Sequence, residues 1–395
     1  MMKKRMKALL AIGLSAIIMV CSAGCGNGKE HMKAETDPDI PVEDVSFPLK
    51  EKAELSFITS APATSTQEPN ERTIFKRLEK QTNVHIDWTC FVSDQFDDKK
   101  NLALAQFGNL PDGLFNAGMS DYDLLRYAKQ GIIIPVENLI DKYMPNLKAV
   151  FEKYPEYRTM CTAPDGHIYS FPWIEQLGAG KEAIQAIGDI PYINKKWLDY
   201  LKLDVPTTSC RNTALAAAWI DQMYAPIQSP QNNWGTYGEK DSFNIFEMSE
   251  NAEGGQMLKH MDLGDASPVE VREAQSVNGP LAILNEYYDV YVTEPADAKW
   301  RLDNMHETYL KDMNSKYVYP NVFMSIDDTN KVSQYDTDIK KYAEQKKADW
   351  ILNGGIDKEW DSYLKKMEQY GLSDYLAIKQ KYFDQYQKSL SETEK

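Results

Sequence analysis

The residue combinations that usually perform catalysis or hold metal ions are incomplete in this sequence. His306-Glu307 opens a zinc-protease pattern, but Leu310 stands where the second histidine is required. Gly180-Lys181 lacks the flanking residues of a phosphate-binding loop, and no Gly-x-Ser-x-Gly nucleophile turn occurs. The acidic window Asp327–Asp338 has no central glycine and places Lys331 at a ligand position of a calcium loop. We therefore expect no enzyme activity, no catalytic residues, no metal site and no cofactor.

Tryptophan and tyrosine are abundant, with 8 and 23 residues respectively. Aromatic rings stack on the apolar faces of sugars while carboxylates and amides bind the hydroxyl groups, as in many concave binding sites. Aromatic residues at helical spacing usually belong to the core, and on this ground we assign to packing Trp219, Trp300, Trp350 and Trp360. Strand ends and loops favour ligand contact, which gives the candidates Ser60, Trp88, Asp112, Asn116, Trp173, Trp234 and Tyr237. For each aromatic candidate the alternative is a place in the core.

One cysteine near the start of the chain stands where a lipid is commonly attached. Basic residues at positions 3–7 precede the apolar run Ala8–Val20, and Ser22-Ala23-Gly24 leads directly to Cys25. This order is typical of a secretory signal, and the run is too short to span a membrane. Ser-Ala-Gly-Cys resembles a lipobox, although Ser22 replaces the usual leucine. We expect Cys25 to be acylated, for example with palmitate; the alternative is ordinary secretion, in which Cys25 has no role.

The composition excludes several classes of partner. The formal net charge is −15, so binding to nucleic acid through phosphate neutralisation is excluded, and anionic lipid heads repel the chain. A membrane attachment must therefore rest on the lipid. Cys90, Cys161 and Cys210 remain beyond the signal and cannot all pair, so the fold does not depend on a disulfide framework.

The periodicity of apolar residues predicts an open α/β sheet followed by a largely helical half. Strand patterns alternate with helical ones in the first half, and Asn70 is a candidate cap for the first helix. These patterns cover 55–58, 72–81, 84–88, 99–107, 113–115 and 122–130, with later extended pieces at 169–173 and 190–193 and a helix at 195–202. Ligands on such sheets collect at the carboxyl ends of the strands. In the second half, helical period covers 214–224, 280–291, 297–314, 339–352, 358–370 and 373–389, and a turn-rich segment covers 231–237.

The order of several longer motifs resembles a known family. These motifs are Gln106-Phe107-Gly108-Asn109-Leu110-Pro111-Asp112, Asp165-Gly166-His167-Ile168-Tyr169-Ser170-Phe171-Pro172-Trp173, Tyr192-Ile193-Asn194-Lys195-Lys196-Trp197, Gln231-Asn232-Asn233-Trp234-Gly235, Tyr319-Pro320-Asn321-Val322-Phe323-Met324 and Trp350-Ile351-Leu352-Asn353-Gly354-Gly355-Ile356. The chain is similar to the extracellular solute-binding proteins of family 1, lipoprotein receptors of sugar-type ABC importers in Gram-positive bacteria. The resemblance covers nearly everything from about Leu55 to the end.

This resemblance implies a type II periplasmic-binding-protein fold, in which two α/β lobes close on the ligand about a hinge. The chain departs from the family after Val205-Pro206-Thr207-Thr208, where a long stretch that builds much of the second lobe is missing. That stretch often includes an Asp/Asn-rich metal-binding loop. The chain is then a degenerate paralogue, a deletion product, or a receptor with a reduced, mostly helical second lobe.

These observations divide the chain into a signal peptide (1–24), a lipidated tether (25–50), an N-terminal α/β lobe (51–208) and a reduced C-terminal lobe (209–395). We expect a monomeric lipoprotein anchored by its lipid on the extracellular face of the cell membrane. The resemblance implies that it captures a carbohydrate, an oligosaccharide in particular, and passes it to an ABC transporter permease. The alternative is a degenerate lipoprotein of the same family that no longer binds and has a structural or interaction role.

Overall fold

The computed structural model describes residues 45–63, 65, 68–105, 110–176, 205–206, 210, 212–277, 279–289, 300, 304, 307–308, 319–320 and 322–393. Cys25, the signal segment 1–24, and the segments expected to be extended at 190–193 and helical at 195–202 lie outside these residues. All described residues belong to one compact unit, 35–395.

A parallel sheet forms from the first strands of the chain. β1 (Ala53–Ala61) pairs in parallel with β2 (Val84–Val92) and with β3 (Gly113–Leu114), and β5 (Val205–Pro206) adds an antiparallel edge, so the order is β2-β1-β3-β5. β1 buries Leu55 and Phe57 with the half-buried Ser56 between them, and Ile58 and Thr59 are buried as well, so this part of the strand is covered on both faces. The carboxyl ends of β1, β2 and β3 meet at the same edge, as predicted from the strand and helix order.

The helix between the first two strands forms where the spacing of apolar residues predicts it. α1 (Thr73–Thr82) buries one face at helical spacing, formed by Ile74, Phe75 and Leu78. The prediction that Asn70 caps this helix is wrong. Asn70 lies in a preceding 3-10 turn, and its side-chain amide donates to the carbonyl of Ile86 at 3.0 Å instead.

Further helices and strands follow in the described part of the chain. The helices are α2 (Ser93–Leu104), α3 (Asp121–Lys129), α4 (Glu137–Tyr143), α5 (Pro145–Lys153), α6 (Pro155–Cys161), α7 (Thr213–Asp221), α8 (Ser229–Trp234), α9 (Pro268–Gln275), α10 (Ile326–Asn353), α11 (Ile356–Gln369) and α12 (Leu372–Thr393). The strands are β4 (Trp173–Glu175), β6 (Phe246–Glu250), β7 (Gln256–His260), β8 (Leu281–Ile283) and β9 (Tyr288–Asp289). β4 pairs with β8 in parallel, and a separate sheet has the order β6-β7-β9.

The sequence patterns predicted too few strands in the second half of the chain. The helix expected over 280–291 is wrong, because Leu281–Ile283 forms the buried strand β8 and Tyr288–Asp289 forms β9. The hairpin of β6 and β7 was also missed, and 229–234 is a short helix rather than a turn. A short apolar run does not distinguish a buried strand from a buried helix, because both exclude water on every side.

The three C-terminal helices confirm the helical patterns expected at 339–352, 358–370 and 373–389. Trp350 and Trp360 pack with Tyr363 between α10 and α11, with centroids 5.0 Å and 5.4 Å from that ring. The assignment of Trp300 to packing is wrong, because 65% of its surface is exposed. No helix among the described residues is both long and apolar enough to cross a membrane.

A cluster of aromatic rings connects the first sheet with the second half of the chain. Trp219 on α7 is 1% exposed and lies 5.7 Å from the Phe57 ring of β1, and Phe75, Trp88 and Phe115 complete the cluster. The assignment of Trp219 to packing is therefore confirmed. α7 also packs against α4 and α5, and the domain boundary at 208/209 stays a prediction.

Candidate functional site

Five side chains from β4, α8 and α9 form a polar and aromatic group that we call the Glu175 cluster. It consists of Trp173, Glu175, Asn233, Trp234 and Arg272. Trp173 and Glu175 stand two residues apart on β4, so their side chains point to the same face of the strand. Trp173 and Trp234, both candidates from the sequence, are thereby brought into one cluster, in which Trp173 is 8% exposed and so also belongs to the core.

The carboxylate of Glu175 is the centre of this cluster. The indole Nε1 of Trp173 donates to Oε2 at 3.3 Å, and the side-chain amide of Asn233 is directed at Oε1 at 3.5 Å. Asn233 is fully buried and in turn accepts at its Oδ1 a hydrogen bond of 2.5 Å from Arg272. A carboxylate oxygen offers two lone pairs and can accept more than one hydrogen bond. Glu175 is therefore the kind of group that can bind hydroxyl groups.

Arg272 also shapes the aromatic side of the cluster. Its guanidinium lies over the Trp234 ring, 4.3 Å from the centroid, and its Nε donates to the carbonyl of Asn233 at 3.0 Å. The ring of His260 is nearly perpendicular to the same ring, with the two centroids 5.5 Å apart. Because Arg272 covers one face of Trp234, stacking of a sugar ring on this indole is restricted to the opposite face.

Burial controls the ionisation of the groups around the cluster. Burial raises the pKa of Glu175, while the hydrogen bond from Trp173 and the charge of Arg272 act in the opposite direction. Tyr288 on β9 is buried, which raises its pKa, and the nearby Glu175 carboxylate adds to this effect. Burial lowers the pKa of His260 to about 4, so this imidazole is neutral at physiological pH and shares a 2.9 Å hydrogen bond with the Tyr288 hydroxyl.

A second feature, the β1-end cavity, lies at the carboxyl end of β1. It is lined by Thr59, Ser60, Ala61, Pro69, Arg72, Phe75, Phe115 and Val277. Arg72 is buried, its Nη1 donates to the carbonyl of Ser276, and its Nη2 donates to the Ser65 hydroxyl at 2.6 Å. Because Ser276 directly follows α9, this contact connects the cavity to the helix that carries Arg272.

The contacts described for the remaining candidates are with residues other than the five of the Glu175 cluster. Trp88 is half-buried in the aromatic cluster, 4.8 Å from the Phe75 ring. The carboxylate of Asp112 accepts from both the backbone and the hydroxyl of Ser56 at 2.8 Å, which ties the start of β3 to β1. Asn116 is buried with a φ of 57° just after β3, and Tyr237 is half-buried with its backbone N–H bound to Gln231.

Sequence reasoning missed three residues of the cluster, namely Glu175, Asn233 and Arg272. Two of them stand beside residues that the sequence did select, since Glu175 follows Trp173 at strand spacing and Asn233 precedes Trp234. These neighbouring positions could have identified Glu175 and Asn233 as further candidates. Arg272 gave none, because it lies on a short amphipathic helix that is distant in sequence from the other four residues.

The fold is shared with solved structures of transporter-associated binding proteins. A structure of FusA from Streptococcus pneumoniae in complex with kestose has a TM-score of 0.64 at 35% identity, over 85% of this chain and 99% of that chain. A solute-binding protein associated with an ABC transporter of Bifidobacterium longum infantis has a TM-score of 0.59 at 14% identity, over 85% and 99% of the two chains. No protein-family model matches the chain. The chain thus has the solute-binding-protein fold of the periplasmic-binding-protein type that the sequence predicted.

The sequence comparison identifies the family to which the chain belongs within this class. The chain is 36% identical to the fructooligosaccharide ABC transporter substrate-binding protein FusA of Streptococcus pneumoniae, over 94% of this chain and 98% of the relative. The chain belongs to the family of ABC transporter substrate-binding proteins. Its relatives are binding proteins rather than enzymes, which agrees with the incomplete catalytic motifs.

The alignment with FusA also shows that this chain is shorter than its relative within the matched region. The alignment spans 535 positions, whereas the whole chain has 395 residues. FusA therefore contains residues that have no counterpart in this chain. The family resemblance led to the same conclusion, with the missing stretch expected between Thr208 and the late helix that begins at Thr213.

One solved structure of FusA is of an EF-hand mutant in complex with fructo-nystose. The one calcium-like window of this sequence does not fit such a site. The calcium-like window Asp327–Asp338 lies entirely within α10, and a regular helix cannot wrap a cation as an EF-hand loop does. Within the described residues, no three His, Cys, Asp or Glu side chains are grouped to hold a metal ion.

Proposed function

We propose that this chain captures a fructooligosaccharide outside the cell and delivers it to the permease of an ABC importer. The observation that carries the proposal is the similarity to FusA along 94% of the chain. The Glu175 cluster supports it, because two tryptophans beside a carboxylate, an amide and a guanidinium are suited to a neutral polyhydroxylated ligand. In this proposal Trp234 provides a stacking surface and Glu175 binds hydroxyl groups. Trp173, which is 8% exposed, stays a stacking candidate through the part of its surface that is accessible, and the fully buried Asn233 supports Glu175.

Two strand-end candidates also belong to the proposal. Ser60 lines the β1-end cavity, and Asn116 follows β3 at the same edge of the sheet. The proposal is weaker for Trp88, Asp112 and Tyr237. The contacts described above for these residues are with Phe75, Ser56 and Gln231, which are not part of the Glu175 cluster. Closure of two lobes about a hinge would shift the protein toward a ligand-bound state.

The proposal includes the attachment of the protein to its membrane. Cleavage after residue 24 and acylation of Cys25 would hold a monomer on the extracellular face of the cell membrane, with 25–50 as the tether. Several acyl chains hold a protein stably, whereas a single chain holds weakly. Replacing Cys25 by serine should release the protein from the membrane fraction, and mass spectrometry of the mature N-terminus should detect the lipid.

The alternative is a lipoprotein that folds but has lost ligand binding. The observation that favours it is the alignment with FusA, which is longer than this chain. A second lobe that lacks strands would close incompletely on a ligand, and affinity would fall accordingly.

Thermal unfolding of the chain from residue 26 onwards, with and without kestose, separates the two functions. This part contains the whole compact unit 35–395. Binding to the folded state alone stabilises it by about 2.7 kcal/mol at a ligand concentration of 100 Kd, which raises the midpoint. A saturable rise with kestose and none with glucose supports capture of fructooligosaccharides. A cooperative transition that neither kestose nor nystose moves supports the alternative.

A further inference from the structure

The contacts of Arg272 differ from those of an ordinary surface arginine. It uses Nε and Nη2 together on a single residue, Asn233, with distances of 3.0 Å to the carbonyl and 2.5 Å to Oδ1. The planar fork of a guanidinium matches two acceptors at fixed spacing, which a lysine cannot do. Arg272 therefore determines both the position and the orientation of the Asn233 side chain.

The orientation of Asn233 has a consequence for Glu175. An amide has an acceptor side and a donor side. Because Oδ1 is bound to Arg272, the Nδ2 side is directed at Oε1 of Glu175. The indole of Trp173 can only donate, and it donates to the other oxygen. Both neighbours of the carboxylate thus present N–H groups, and donors of this kind favour its charged form.

We propose that Arg272 is a positioning residue that, through its own charge and through Asn233, holds Glu175 as an ionised hydrogen-bond acceptor for the hydroxyl groups of the ligand. This inference rests on the proposed function for the nature of the ligand, but its central element concerns the ligand-free protein. Desolvation of Glu175 opposes its charge, so the donors and the positive charge of Arg272 are needed to maintain it.

Other titratable groups near this site belong to elements packed around it. In the described part of the chain, Tyr288 on β9 interacts electrostatically with both Glu175 and Arg272, and His260 on β7 is hydrogen-bonded to Tyr288. Burial raises the pKa of Tyr288 far above neutrality and lowers that of His260 to about 4. Both groups are therefore neutral at pH 7. Asp289 on β9 also acts electrostatically on Tyr288, and Arg272 is the positive charge that acts on Glu175.

The first test measures the pKa of Glu175 without any ligand. Carboxyl carbon resonances are followed by NMR as a function of pH, and the Glu175 signal is assigned by its loss in Glu175→Gln. Arg272→Met should raise this pKa by roughly one unit, because a nearby opposite charge lowers a carboxyl pKa by 1–3 units. Arg158→Met is the matched control, since Arg158 pairs with Asp141 on another part of the surface. An unchanged pKa of Glu175 in Arg272→Met overturns the proposal.

The second test measures the affinity for kestose between pH 7.5 and 4.5 by calorimetry. Arg272→Met should weaken binding at least tenfold at pH 7 and move the loss of affinity to higher pH. Arg272→Lys keeps the charge but has no fork, so it should bind several-fold more weakly than the wild type. Wild-type affinity in Arg272→Lys overturns the role of Asn233. If the wild type does not bind kestose at any pH, the proposed function fails, whereas the NMR titration still decides the role of Arg272.

Discussion

Acidification should destabilise the protein through one histidine, His260. Its ring is enclosed by Trp234, Phe246 and Tyr288, with centroids between 4.6 Å and 5.7 Å away. Burial is the cause that lowers its pKa from 6.5 to about 4. The folded protein therefore resists taking up a proton that the unfolded chain accepts below pH 6.5.

The sign and size of this effect follow from linkage. A group with a lowered pKa in the folded state contributes stability that is fully present above pH 6.5 and is lost as the pH falls towards 4. At about 1.36 kcal/mol for each pKa unit, the complete loss is about 3 kcal/mol. Between pH 7.5 and pH 5 the expected loss is about 2 kcal/mol.

Urea unfolding of the wild type and of His260→Gln across this pH range measures the effect. The difference in the free energy of unfolding between the two proteins isolates His260 from the other titrating groups. In Tyr288→Phe the pH dependence should persist, because burial rather than the hydroxyl is the cause of the lowered pKa. A wild-type-minus-variant difference that stays constant between pH 7.5 and pH 5 would refute the reasoning.

Two further predictions concern stability. Trp219→Ala should cost about 3–5 kcal/mol in urea unfolding, because it removes a fully buried ring from the aromatic cluster; Trp360→Ala, at 45% exposure, should cost much less, and equal losses would contradict this account. Asp221 is fully buried and accepts two backbone N–H groups in the first turn of α5, so Asp221→Ala should cost about 3 kcal/mol. The exposed Asp141→Ala is its control, and a loss no larger than in this control would contradict the role of Asp221.

Local patterns in the sequence predicted β1, β2 and β3 of the first sheet and the C-terminal helices correctly, but not the edge strand β5. Strict alternation at Val84, Ile86 and Trp88 indicates a strand, and long amphipathic segments such as 373–389 indicate helices. β8 could not be predicted in this way, since all three of its residues are buried and its partner β4 precedes it by more than a hundred positions. The pairing that makes it a strand is a property of the tertiary fold.

The candidate site, too, could be predicted only where local sequence patterns determine it. Trp173 and Trp234 were selected because they lie in loops or at element ends, and the structure brings both to Glu175. Arg272 could not be selected from the sequence, because its role in the cluster depends on a contact with Asn233. No spacing along the chain predicts that contact. Whether these residues bind the ligand stays a prediction until affinity is measured.

The pairing of β4 with β8 also determines when this site can exist during synthesis. Trp173 and Glu175 leave the ribosome more than a hundred residues before their strand partners Leu281 and Ile283. Until then, β4 lacks its partner strand, and Glu175 can meet its amide donor only after Asn233, and the guanidinium only after Arg272, have been synthesised. A contact between such distant segments forms slowly, because the entropic cost of closing a long loop comes before the contact contributes any stabilising free energy. The binding wall is therefore assembled late, and a chain that ends before residue 281 should lack it.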